Sequence, residues 1–358
     1  MHKRQIQPIP DMSRTDNNIG AVRYILALAV FIAHYNLLSG HDIPFPVTSY
    51  QGVGGFFAIS GFLIFKSYHR AEGNTMHYLR NRALRILPSY FFIVIAATLI
   101  LSAVSSLGIT DYFRSHITWR YLTANIAFLN FLQPSLPGVF EDGITNAVNG
   151  SLWTMKVEWA LYLSVPAAAW FILRRGYRPW IVIGIIYILA TAYRWGFLAL
   201  YQHTGISLYE ILSRQFLGQM TFFYAGVLLY CYFDHLKKFL PVIGAISLAV
   251  IVSATIVRYD SAIYVIVLYP AALSAVVLTL GLWGRWGTPV ARLEDCSYEI
   301  YLFHYPVIQL FTRLNIFNGV PGWILFFSSF MATWILAYIC ARYVSGPLRH
   351  RFRTAYRQ

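Results

Sequence analysis

Ten apolar stretches, each near the length of a membrane crossing, dominate this 358-residue chain. They fall near 18–38, 52–67, 86–107, 155–174, 179–200, 216–233, 239–257, 262–282, 297–314 and 322–344. No water satisfies backbone groups inside a bilayer, so only helices and closed barrels cross it. Apolar runs of this length read as helices. The stretches at 52–67 and 297–314 are short, which leaves tilted or partly re-entrant paths open to them. The predicted fold class is therefore an all-α polytopic membrane protein of about ten transmembrane helices. Charged residues make up only 12% of the chain, as such a fold requires. The apolar stretches take up nearly all of residues 1–358, so a single integral-membrane domain is expected, with no appended soluble domain.

The charges then orient the chain. Nineteen cations fall at the N-terminus, in alternate short loops and at the C-terminus. They include Lys3, Arg4, Arg14, the group Arg80, Arg82 and Arg85, Arg174, Arg175, Arg178, Arg285, Arg349, Arg351, Arg353 and Arg357. The opposite side holds about seven, among them Arg114, Arg120, Lys156, Arg194 and Arg214. Cations concentrate on the cytoplasmic side of membrane proteins, so both termini are expected there. Topology thus accounts for most of the net charge of +14, and nucleic acid is excluded as a partner. Cys231, Cys296 and Cys340 are too widely spaced for a disulfide framework or a metal site. The polar N-terminus lacks a cleavable signal pattern, which makes the first span an uncleaved anchor.

Within the first span, VRYILALAVFIAH, Arg23 and His34 lie eleven residues apart. Eleven helical residues make about three turns, so both side chains share one face, roughly 16 Å apart. Ionisable groups at membrane depth usually face a protein interior or a water-filled cavity. The pair marks either a polar cavity or two structural residues satisfied by neighbouring helices. In QGVGGFFAISGFLIF, the small residues allow close helix packing, the favoured reading over a channel for an acyl chain. Arg82 and Arg85, in YLRNRALRILP, point to one side of a helix and suit phosphate. The positive-inside rule calls for cations there as well.

The fourth stretch opens NGSLWTMKVEWALYL, where Asn149 or Ser151 is a candidate helix cap. Glu158 lies inside its apolar run and needs a partner, for structure or for chemistry. The ninth opens DCSYEIYLFHYP, with Glu299, His304, three tyrosines and Pro306, which is expected to bend or break the helix. The one long connection, 108–154, shows no obvious regular structure and is either a binding segment or a folded cap.

Arg23 with His34, the glycine-rich segment, RNRALRILP, and SLWTMKVEWALYL with SYEIYLFHYP occur in the order of one family. In these passages the chain resembles the membrane-bound acyltransferase-3 family, the bacterial sugar O-acyltransferases. It departs from the family's late Glu-Pro element, having VSGPLRHRF instead. The resemblance implies an enzyme of the bacterial inner membrane. It would move an acyl group, in the first instance acetyl, from cytoplasmic acyl-CoA to a hydroxyl of a carbohydrate or lipid-linked glycan. His34 is then the general base, with Arg23 and Glu158 as further catalytic candidates. Glu158 would either orient His34 or bind the acceptor. Arg82, Arg85 and His304 are the candidates for donor binding. No metal is implied. An acyl-histidine intermediate remains open. The rival reading is a transporter or flippase, which ten spans with buried charges suit as well.

Overall fold

The computed structural model describes residues 6, 8–9, 13–258, 261, 263–314 and 319–348. Lys3, Arg4, Arg349, Arg351, Arg353 and Arg357 of the charge count lie outside the described residues, as do residue 262 and the side chain of Arg14. Helix accounts for 78% of the described residues, and no strand occurs among them.

Among the described residues, ten long helices coincide with the ten apolar stretches. They are α1 (Ile19–Ser39), α2 (Ser49–Arg70), α3 (Thr75–Ile100), α4 (Trp153–Ala169), α5 (Pro179–Thr204), α6 (Phe216–Cys231), α7 (Leu240–Ile256), α8 (Tyr269–Leu282), α9 (Ser297–Arg313) and α10 (Gly322–Ile339). Six are long and apolar enough to cross a membrane: α1, α3, α5, α7, α8 and α10, several with short helical extensions. The chain is a multi-pass membrane protein. The remaining four are shorter or more polar; α6 has 16 residues and α9 has 17. α2 is longer than its apolar core at 52–67 suggests, because its ends, Ser49–Gln51 and Lys66–Arg70, are polar yet helical. Its 22 residues rise about 33 Å, enough to cross the hydrocarbon without re-entering.

The chain divides into two compact units. The first comprises Met1–Leu26, Tyr50–Leu79 and Val157–Leu293. Its α2 and α6 meet backbone to backbone. A Cβ at Gly61 would overlap the Phe223 carbonyl, and one at Gly226 would overlap the Ala58 carbonyl. Small residues are obligatory at such a crossing, which is the packing role read from the sequence. Asn18 clamps the far end of α8 by donating to the Trp283 carbonyl at 2.7 Å and accepting from Gly287 N–H at 2.8 Å. α5 and α7 turn Ile185, Ile188, Leu189, Val242 and Ile246 outward, as helices facing lipid do.

The second unit comprises Ala27–Ser49, Arg80–Lys156 and Glu294–Gln358. Its long connection is more regular than the sequence suggests. It begins with two short helices, Ile109–Arg114 and His116–Ile126, separated by Ser115, whose hydroxyl accepts from Ile117 N–H at 3.3 Å. Three buried tyrosines fasten it to α3. Tyr112 donates to the Thr98 carbonyl at 2.8 Å, Tyr90 donates to Asn125 at 2.6 Å, and Tyr121 fills the space between. The sequence disguises these helices because their tyrosines and tryptophan follow no clean helical period.

Pro306 neither breaks nor ends α9, which runs on to Arg313. Proline lacks the N–H that would bond the carbonyl four residues earlier, at Leu302. Asn149 supplies the missing donor: its Nδ2 reaches the Leu302 carbonyl at 2.8 Å. That substitution keeps a buried carbonyl satisfied where water is scarce. The same side chain also serves the turn before α4, where its Oδ1 accepts from Ser151 N–H at 3.2 Å. Ser151 donates to Asn149 Oδ1 at 2.7 Å and holds the amide in this orientation.

Candidate active site

α1 and α9 place two imidazoles together, both in the second unit. His34 Nδ1 lies 2.9 Å from His304 Nε2, with the rings 4.9 Å apart. His304 is fully buried, at 1% exposure, whereas His34 is only half-buried. The other ring nitrogen of His304, Nδ1, lies 2.8 Å from the Tyr301 carbonyl oxygen.

These contacts assign the tautomers. A carbonyl oxygen only accepts, so His304 Nδ1 carries a proton and donates it. In a neutral His304, Nε2 is then bare and accepts. His34 Nδ1 must therefore carry the donated proton, which leaves the lone pair of His34 on Nε2. Among the described residues His304 is the side-chain hydrogen-bond partner of the His34 ring, which also bonds to the Val30 backbone. The arrangement presents one unprotonated nitrogen and fixes its direction from behind, as a general base requires.

The surroundings hold both rings in place. Tyr305 meets His34 edge to face at 5.1 Å. It belongs to a core with Phe31, Tyr35, Ile308 and Leu325. Tyr35 donates to the Gly322 carbonyl at 2.5 Å, tying α1 to the start of α10. Thr154 at the head of α4 shares a 2.9 Å hydrogen bond with the Tyr301 hydroxyl. Gln309 donates to the Ala147 carbonyl at 2.7 Å. The segment 145–154 is thus laced along α9, opposite the turn that carries His304.

Arg82 and Arg85 lie three residues apart on α3, as the spacing predicts. Arg85 approaches Asp295 at 3.7 Å and remains about one-third exposed. Asp295 also receives the Ser297 hydroxyl at 2.6 Å, which fixes the entry to α9. Further along, Glu299 accepts from Ser89 at 2.9 Å and from Ser345 at 3.1 Å. Glu299 therefore joins α3, α9 and the helical turn at Ser345, inside the second unit.

Arg23 and Glu158 fall in the first unit. Arg23 shares α1 with His34, three turns away. Glu158 accepts a short hydrogen bond from Tyr162, one turn along α4. Lys156, two residues before it, turns instead to the face of Phe131, 4.5 Å from the ring centre. Among the described residues, no group of three or more His, Cys, Asp or Glu side chains is placed to hold a metal.

Sequence reasoning missed the pairing of His34 with His304 and the service Asn149 gives to Pro306. The second had a signal: a proline inside a membrane helix announces an orphaned carbonyl four residues back.

Residues 16–342 match the acyltransferase domain family, and the chain belongs to that family, acyltransferase family 3. Three relatives illustrate its range. An O-acetyl transferase of Shigella phage Sf6 is 25% identical over 48% of this chain and 51% of its own length. Nodulation protein 10 of Rhizobium leguminosarum bv. viciae is 24% identical over 82% of this chain and 83% of its own length. O-acetyltransferase OatA of Staphylococcus aureus is 22% identical over 93% of this chain and 57% of its own length. The chain thus spans little more than half of the phage and staphylococcal relatives. No solved structure matches it.

Proposed function

We propose that this protein is an O-acyltransferase of the bacterial inner membrane. It takes an acyl group, in the first instance acetyl, from acyl-CoA to a hydroxyl of a carbohydrate or lipid-linked glycan. Family membership and two relatives named O-acetyltransferases support the reaction class. The observation that carries the mechanism is the unprotonated Nε2 of His34, held from behind by His304.

In this reading, Nε2 takes the proton of the acceptor hydroxyl as its oxygen attacks the thioester carbonyl. The tetrahedral intermediate collapses with cleavage of the carbon–sulfur bond. The departing thiolate takes the proton back from the His34 imidazolium, giving the ester and free CoA. While His34 is charged, its Nδ1–H remains bonded to neutral His304. A thioester is already activated, so a positioned base suffices without a metal. His304, expected from the sequence to touch the donor, serves instead to orient His34. Arg82 and Arg85 receive CoA phosphates on the cytoplasmic side, with both termini on that side. Arg23 extends the polar face of α1 toward the same side, and Glu158 remains a candidate for the acceptor.

The test is acyl transfer by purified protein in vesicles loaded with acyl-CoA on one side only. The expected result is consumption of acyl-CoA and an ester on the supplied glycan, both lost in His34→Ala. Absence of any acyl-CoA turnover by wild-type protein across acetyl to long-chain donors would refute the assignment.

A further inference from the structure

The first unit holds a buried cation, Arg194, that the proposed acyl transfer does not use. Arg194 lies on α5, 7% exposed, toward the end of that helix opposite Arg174, Arg175 and Arg178. Among the described residues it makes no ion pair, its Nη1 is buried without a hydrogen-bond partner, and its guanidinium interacts with Tyr50. The nearby acid Glu210 is already taken by Arg214, one turn along its own short helix. The Arg194 guanidinium stands over the Tyr50 ring, 5.4 Å from its centre. A ring face attracts a cation but accepts few of the five donors a guanidinium carries.

Two hydroxyls share this condition. The Tyr50 hydroxyl is buried and has no partner beyond its contact with the Arg194 guanidinium. The hydroxyl of Thr191 is buried and unbonded, and does not make the usual bond back to the carbonyl four residues earlier. Thr191 and Arg194 are three residues apart, on one face of α5. That face continues into an apolar groove of about 330 Å³, lined by Tyr187, Ile188, Thr191, Ala192, Trp195 and Val267. Unsatisfied buried polar groups are costly, and an unpaired cation at membrane depth costs most of all. All three groups can donate, so the missing partner is an anion rich in acceptor oxygens. The groove beside them suits hydrocarbon.

We propose that Arg194, Tyr50 and Thr191 bind the phosphate of a membrane amphiphile, with its hydrocarbon chain lying in the groove beside α5. A phosphate oxygen accepts from Arg194 Nη1, others accept from the two hydroxyls, and the tetrahedral anion satisfies donors that no carbonyl could gather at once. A two-chain phospholipid and an isoprenyl phosphate present the same chemistry. This site is separate in chain position from the histidine pair, and its test reads binding, so it stands or falls independently of acyl transfer.

The test is lipid binding to the purified, detergent-solubilised protein, followed by native mass spectrometry. The probes are dioleoyl phosphatidic acid, decaprenyl phosphate, dioleoylglycerol and inorganic phosphate. Phosphatidic acid or decaprenyl phosphate should bind, and whichever binds more tightly identifies the source. Dioleoylglycerol, lacking phosphate, should bind at least tenfold more weakly than phosphatidic acid. Arg194→Met should weaken lipid-phosphate binding about tenfold or more, as expected for a lost charge-assisted bond. Tyr50→Phe, which keeps the ring, should weaken it by a smaller factor. Equal binding of phosphatidic acid and dioleoylglycerol would overturn the proposal, whether or not Arg194→Met folds. Binding by Arg194→Met within twofold of wild type would overturn it as well. Displacement of the lipid by inorganic phosphate at equal concentration would overturn the role of the groove.

Discussion

The two units each bury ionisable groups, and they treat them in opposite ways. In the second unit, the His34–His304 pair is closed by hydrogen bonds between the rings and to the Tyr301 and Val30 backbone. In the first, Arg194 Nη1 and the Thr191 hydroxyl are left open, and the Tyr50 hydroxyl has only Arg194. A closed network holds one group in one direction, which is what proton transfer needs. An open set of donors is costly until something arrives to fill it, which is what binding needs. On the two proposals, the same raw material, polar side chains at membrane depth, serves chemistry in one place and capture in the other.

The sharpest way to break this contrast is His34→Ala. If His34 Nε2 is the base, the substitution should lower the rate of acyl transfer by roughly 10²- to 10⁴-fold, with membrane insertion intact. Turnover within a few-fold of wild type, measured with purified protein, would move the chemistry elsewhere. His304→Ala should do less, because in the proposed mechanism His304 orients His34 and does not meet substrate. Loss of a group that orients a catalytic residue costs roughly tenfold to a hundredfold. The loss should fall on kcat and leave KM for acyl-CoA alone. His304→Gln keeps an acceptor for His34 Nδ1–H and a donor for the Tyr301 carbonyl, so part of the rate should return. Equal losses in the alanine and glutamine variants would reduce His304 to a packing residue.

Donor binding is next in size. Arg82→Ala and Arg85→Ala should each raise KM for acyl-CoA about tenfold, the effect of one charge-assisted phosphate contact. Lysine should not fully restore either, because an ammonium lacks the planar fork. Dephospho-CoA should then discriminate poorly between wild type and variant. If intact acyl-CoA is used equally well by all three proteins, the arginines report only membrane topology. Arg85 already leans toward Asp295, so its loss should also loosen the entry to α9, and Arg82 is the cleaner probe.

Much of this architecture is legible in the sequence. Each apolar stretch marks a helix, because hydropathy and length are local properties that the bilayer enforces. The shared face of Arg23 and His34 follows from helical geometry alone. The glycine-rich passage announces close packing, and Gly61 and Gly226 show it. The partnership of His34 with His304 was not legible, since 270 residues separate them and no local pattern links the two. Arg194 was counted only as a charge at a span edge, because hydropathy says nothing about whether a buried cation has a partner. The helices after Ser105 were hidden because their buried tyrosines are satisfied by α3, a long-range relation.

The smallest expected effects separate the two units by stability alone. Gly150 lies in the segment laced along α9, and a Cβ there would meet the Tyr305 ring at 2.7 Å. Tyr305 cannot retreat easily, since it packs against His34 and the core around Phe31 and Ile308. Gly150→Ala should therefore cost about 1–3 kcal/mol, as overpacking does. Gly184 lies inside α5 of the first unit, where an added Cβ meets nothing within 4 Å. Gly184→Ala should stabilise that helix by up to about 1 kcal/mol, the difference in helix propensity. Thermal unfolding in detergent, followed with and without acyl-CoA, would measure both. Because Tyr305 also packs against His34, the proposed base, Gly150→Ala should lower turnover more than its stability loss accounts for. A variant destabilised as expected but fully active would show that His304 alone holds His34 in place.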